Sequence, residues 1–167
     1  MAAFGGDFAV GPYEMTFNGT SVGLLEGEIR HQQNVIGLPI RAGLYGQTII
    51  DYILQGAGVF LVCTLKEWNA GSKAAMWQYG STQGIVNEAG LLMSASHAKQ
   101  IVLTALSGTP AATEGPVTRT YPLAMLLPGH NLEIPMGAVE RNVQLVFGVL
   151  PEPESAGSKK AKFFTDT

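Results

Sequence analysis

The sequence predicts a mainly β fold: a β-sandwich or barrel of two packed antiparallel sheets, with one flanking α-helix and extended terminal arms. Three observations carry this expectation. Glycine occupies 21 of 167 positions and proline 9, so the chain reverses often and few windows hold a long helix. Short apolar or alternating runs recur between Gly-, Pro- and Asn-containing breaks, as many short strands require. Only the window 69–80 carries the signals of a helix.

The elements follow in order along the chain. Residues 1–11 read as a glycine-bearing arm. Tyr13 to Phe17 alternates, Asn18-Gly19 is a strong hairpin turn, and Thr20 to Leu25 is the returning strand. Glu26 to Val35 continues as a polar extended stretch in which Gly27 marks a bulge or bend, and Pro39 excludes a central strand. A turn at 42–48 leads to two expected strands, Ile49 to Leu54 and Val59 to Glu67, separated by Gln55-Gly56-Ala57-Gly58. The run Val59 to Leu65 is apolar except for Thr64, which predicts a strand enclosed between two layers.

The helix is expected at about 70–79, with capping residues before it, alanines inside and Gly80 at its end. Met76 and Trp77 would pack it onto a sheet. Leu91 to Ala95, Gln100 to Leu106, Arg119 to Leu127 and Asn142 to Val149 are the remaining expected strands, with a loop of small residues at Ser107 to Pro116. At 17.7 kDa the chain suits a single domain over 1–167, with a core at 12–150 and a linker and arm at 151–167.

Composition excludes several function classes. The net charge of −3 provides no basic field for nucleic acid. No run approaches 18 apolar residues, and the first residues lack a basic and an apolar signal region, so synthesis in the cytosol without a membrane span is expected. The single cysteine, Cys63, cannot form an intramolecular disulfide and sits in an apolar run as an inert thiol would. His31, His97 and His130 lack metal-ligand spacing, Gly56-Ala57-Gly58 lacks the rest of a dinucleotide fingerprint, and Ser94 and Ser96 near His97 lack a nucleophile elbow. No cofactor, metal or catalytic group is expected. Glu26 and Glu28 read as alternating onto one face of an extended segment, a solvated strand face in the absence of a pocket.

Two features point to association. Charged residues make up 14% of the chain against about 25% in ordinary domains, so a monomer would expose much uncharged surface. Both ends carry aromatics on extended arms: Phe4 and Phe8 at one, and Phe163 and Phe164 beside Lys159, Lys160 and Lys162 at the other. Such side chains are costly in water unless a surface receives them, on this domain or on a neighbour.

The order of arm, hairpin, polar bend, the stretch Gly43-Leu44-Tyr45-Gly46-Gln47-Thr48-Ile49-Ile50-Asp51-Tyr52-Ile53-Leu54-Gln55-Gly56, an apolar strand ending Leu65-Lys66-Glu67 and a short helix resembles phage tail tube (major tail) proteins. The ending Lys162-Phe163-Phe164-Thr165-Asp166-Thr167 is similar to theirs as well. The resemblance implies a structural virion protein: hexameric rings of β subunits stacked into a hollow tube, assembled in the host cytoplasm around a tape measure protein. Tail terminator and distal tail or baseplate proteins would be its further partners, with genomic DNA passing through the lumen unbound. It also implies that the terminal arms bridge subunits or rings, and that either Gln32 to Gly46 or Ser107 to Thr118 stacks on the next ring. The long insertion usual after the opening hairpin is expected to be short here. A lumen that repels phosphate weakly would use acidic residues, for which Glu26, Glu28, Glu133 and Glu140 are the candidates. The alternatives are another β-rich virion component, such as a terminator or head decoration protein, a secretion-system tube protein, or a small ligand-binding β-barrel.

Overall fold

The computed structural model describes residues 13–43, 48–79, 97–106, 118–137, 142–153 and 161–167. The expected strand at Leu91 to Ala95, the loop at Ser107 to Pro116, the N-terminal arm with Phe4 and Phe8, and Glu140, Lys159 and Lys160 lie outside them.

Ten strands and one helix follow in order: β1 Tyr13–Phe17, β2 Thr20–Ser21, β3 Leu25–Ala42, β4 Thr48–Leu65, α1 Ala70–Met76, β5 Lys99–Ala105, β6 Thr118–Leu126, β7 Val143–Val149, β8 Glu152–Pro153, β9 Ala161–Lys162 and β10 Thr165–Asp166. Among the described residues they form one antiparallel sheet in the order β2-β1-β5-β6-β7-β4-β3, with β10 beside β6, and a separate β8-β9 ribbon. The mainly β fold with one helix is as the sequence predicts. In place of two packed sheets or a closed barrel there is one curled sheet.

Chain connectivity explains the curl. β2 and β3 stand at opposite ends of the strand order, yet only Val22, Gly23 and Leu24 join them. Four peptide steps span at most about 14 Å, so the sheet must bend until its two edges converge at that end. The edges do not zip together. β2 is only two residues long, and β3 carries a register shift between Glu26 and Arg30, where Gly27 adopts φ +65°. A barrel needs a continuous ladder around its whole circumference.

The helix lies at this seam, packed against β1 and β2. Asn69 caps it: its Oδ1 accepts the Ser72 amide at 2.9 Å, and Ser72 Oγ accepts the Asn69 amide at 2.9 Å. The helix ends at Met76, earlier than the pattern predicts, because tertiary bonds capture the following residues. Gln78 Oε1 accepts the Leu126 amide at 2.8 Å, and the Tyr79 hydroxyl donates to the Leu126 carbonyl. Gly71 sets the approach of helix to sheet, since a Cβ there would collide with the Ser21 carbonyl. Gly71→Ala gains up to about 1 kcal/mol in helix propensity. Overpacking against immobile backbone costs about 1–3 kcal/mol, so we expect net destabilisation, measured by urea unfolding.

The core fills the concave face. Val59, Leu61, Cys63 and Leu65 of β4, Met15 and Phe17 of β1, Ile101 and Leu103 of β5, Tyr121 of β6, and Leu145 and Phe147 of β7 are all buried there. Phe17 and Phe147 stack with centroids 6.0 Å apart. Burial pushes the Cys63 thiol up to about 12, which keeps it in its unreactive form. The run Val59 to Leu65 is thus fully enclosed on one face and partly on the other, where Val62 is buried and Thr64 half-buried. That second face also carries the half-buried Phe60, beside a shallow apolar groove shared with Met125, Leu127 and Leu150.

Candidate functional site

The largest departure from a self-sufficient domain is the hairpin of β3 and β4. Each strand has 18 residues, about 60 Å at 3.3 Å per residue. The pattern predicts two strands broken at 55–58. Instead, the β3–β4 ladder runs on through Asn34↔Gly58, Val35↔Ala57 and Ile36↔Gly56, and Gln55 is absorbed as a bulge between Ile36 and Gly37. The hairpin after β1 and β2 is therefore long, contrary to the short insertion expected. Pro39 fits because β3 is an edge strand.

β7 pairs with β4 only from Val59 to Leu65. Thr48 to Gly58 and the facing part of β3 therefore project beyond the sheet as a bare two-stranded ribbon, about 35 Å long. Both of its faces carry large apolar side chains, interrupted by Asp51 opposite Ile40 and Arg41 opposite Ile49. Leu38 and Ile53 are cross-strand partners, with Ile36 and Ile40 on the same side of β3. The opposite side carries Val35, Tyr52 and Leu54. Relative exposures run from 37% for Ile40 to 70% for Leu54, unusual for side chains of this size. A two-stranded ribbon in water is marginal by itself, and this one offers apolar surface that no other described residue covers. The side bearing Leu38 and Ile53 continues along β3 to Gln32, the partner of Phe60, and so to the groove at the ribbon's root.

A second feature lies inside the curl. A cavity of about 780 Å³ is walled by Leu25, Ile29, Leu61 and Leu103, with Glu28, His31, Arg119 and Tyr121 among its polar groups. His31 Nδ1 lies 3.0 Å from the Tyr121 hydroxyl. Burial, and next the Arg119 charge, lower the proton affinity of His31 below that of an ordinary imidazole. Burial raises the Tyr121 phenol above its usual range. Arg119 donates to both carboxylate oxygens of Asp166, at 2.6 and 2.7 Å, which holds its guanidinium firmly charged.

The expected site residues disperse around the molecule. Glu26 and Glu28 do not share a role on one strand face, because the irregularity at Gly27 falls between them. Glu28 lines the cavity and lies 3.6 Å from Arg30, whereas Glu26 pairs with Lys66. Glu133 is exposed and accepts from Asn131 at 3.0 Å. His97 and His130 contact the carbonyls of Gln78 and Gln144 at 3.2 and 3.1 Å. Among the described residues no group of three His, Cys, Asp or Glu side chains could hold a metal ion, and no helix is long and apolar enough to cross a membrane. Met76 is buried in the core and Trp77 packs against it. Of the C-terminal arm, Lys162 lies 3.6 Å from Glu152, while Phe163 and Phe164 pack on the core of their own subunit. Sequence reasoning missed the ribbon as a unit and the grouping of His31 with Arg119, Tyr121 and Phe164. The absence of any Asp, Glu, Lys or Arg from Gln32 to Ile40 and from Tyr52 to Leu65 was the available signal for the ribbon.

No protein-family model matches the chain, and none of the curated proteins matches it in sequence.

Proposed function

We propose that this protein is a self-assembling structural subunit, built into hexameric rings that stack as the hollow tube of a phage tail, with genome delivery as the tube's purpose. One observation carries the reading: a ribbon about 35 Å long that exposes large apolar side chains on both faces and is covered by none of the other described residues. Its eight exposed apolar side chains, each leaving on the order of 100 Å² to water, offer about 800 Å², one partner's share of a standard interface. Of the two candidate stacking segments, Gln32 to Gly46 falls largely on this ribbon. The low charge of the chain and its acidic balance suit a subunit enclosed by copies of itself around a channel that does not hold DNA. In this reading the tape measure, terminator and distal tail proteins are its partners, and the virion its place.

Negative-stain electron microscopy across a concentration series tests it. Rings and hollow tubes of uniform width, lengthening with concentration, are the expected result. Single rings that never stack would instead assign a terminator. A second reading, a ligand-binding curled sheet, is favoured by the cavity containing Glu28 and His31, and compact monomers at every concentration would select it.

A further inference from the structure

The end of the chain occupies a slot in the sheet. β6 pairs with β7 through Ala124 to Leu126, with a further bond from the Leu150 amide to the Leu123 carbonyl at 2.7 Å; beyond it Pro122 of β6 and Pro151 have no amide hydrogen to extend the ladder. The edge of β6 left open by this divergence is filled by the last residues. Thr165 and Asp166 pair with Thr120 and Arg119, and Thr118 and Thr167 exchange backbone bonds of 2.8 and 2.9 Å.

The segment is held by a two-residue strand with two flanking backbone bonds, one partly exposed ion pair, and the packing of Phe163 and Phe164 on the core. Phe164 makes the aromatic contacts. Its ring meets His31 edge-on with centroids 5.1 Å apart, lies 5.9 Å from the Tyr121 ring, and sits 4.6 Å beneath the Arg119 guanidinium.

We propose that Phe163 to Thr167 form an acid-released latch, seated beside β6 while His31 is neutral and freed when His31 takes up a proton. The groups around the imidazole set the sign. From β6, the Arg119 guanidinium opposes a second positive charge and the Tyr121 hydroxyl bonds Nδ1. From the latch, the Phe164 ring excludes water, while the Asp166 carboxylate favours the proton. On β3 itself Gln33 also favours it, and Glu28 and Arg30 are close in sequence. Glu14 of β1 and Glu67 line the same cavity, and Leu61, the cross-strand partner of His31 on β4, carries no charge.

Burial is the largest of these influences, so neutral His31 is favoured while the latch is closed. Lifting Phe164 returns water to the imidazole, and the open form then binds the proton more tightly. Acidification through the ordinary imidazole value of about 6.5 therefore shifts the balance toward release, and the effect is complete below the lowered value of the closed form. The proposal stands independently of tube assembly.

Hydrogen exchange on the full chain tests it. Protection of the Thr118 and Thr167 amides, corrected for intrinsic rates, is compared at pH 7.5 and 5.0. We expect a severalfold loss in the native protein, because the open form binds the proton more tightly than the closed one. His31→Gln and His31→Phe, one polar and one aromatic so that a folding failure in either leaves the other, should keep protection within about twofold between the two pH values. Unchanged protection in the native protein overturns the proposal. So does an equal loss in the His31 variants, or a pH dependence removed by Asp166→Asn but kept by His31→Gln, since the titrating group would then be the carboxylate.

Discussion

In the proposed tube, replacing Leu38, Ile53 and Leu54 together by threonine is expected to abolish assembly while leaving the subunit folded. These side chains are 50%, 52% and 70% exposed, so their loss removes little burial from the monomer. Surface changes of this kind usually stay within about 0.5 kcal/mol each, and threonine keeps the strand preference of the residues it replaces. The assembly term is different. An apolar side chain of this size, fully buried, contributes about 1.5–3 kcal/mol, and an exchange for threonine forfeits part of that at every copy of the contact. Three such losses come to about 3–5 kcal/mol per interface, or about two to nearly four powers of ten in the concentration needed to assemble. Thermal unfolding should therefore be almost unchanged, while electron micrographs show no tubes at concentrations where the native protein forms them. Tubes persisting in the triple variant would remove the ribbon from the interface and with it the argument for assembly built on it.

This division between a packed core and an exposed apolar ribbon was only half legible in the sequence. The opening hairpin was readable because Asn18-Gly19 specifies its turn locally, and Asn18 and Gly19 do adopt the positive φ values, 50° and 76°, that such a turn requires. The helix was readable from its cap, but its end was not. No local signal announces that Gln78 and Tyr79 will be held by the Leu126 backbone 48 and 47 residues away. At Gln55 to Gly58 the glycines suggested a break, and tertiary pairing overrode them. A bulge preserves the ladder where the partner strand supplies matching residues, and the partner lies some twenty residues earlier in the chain.

The cavity cluster is further from local reading still. His31, Tyr121 and Phe164 are spread across most of the chain, and each by itself is an ordinary half-apolar side chain. Their meeting depends on the three-residue link that curls the sheet and on Pro122 and Pro151 leaving β6 an open edge. The same curl explains why the fold class was predicted while its closure was not. Strand number and alternation follow from composition and pattern, but whether two edges meet depends on the length of β2 and on a bulge at Gly27.

Phe147→Ala is expected to destabilise the subunit by about 3–5 kcal/mol, a large part of the 5–15 kcal/mol that holds a typical domain together. Phe147 is fully buried on β7, where it is the register partner of Leu61 on β4 and of Leu126 on β6, and it stacks on Phe17 of β1. Because those strands come from both halves of the curled sheet, the ring is a contact that no single hairpin supplies for itself. Truncation leaves a cavity that the backbone cannot collapse to fill, since β7 is held on both sides by ladders. Urea unfolding should show a lower midpoint at an unchanged slope. Phe147→Leu, which retains most of the volume, should lose much less. Equal losses in the two variants would mean that the site depends on the aromatic pair with Phe17 more than on filled volume. A loss under 1 kcal/mol in Phe147→Ala would mean that the curled sheet is not one cooperative core. The ribbon triple variant and Phe147→Ala therefore act on opposite terms: the first leaves the subunit and removes its assembly, while the second removes the folded subunit on which assembly depends.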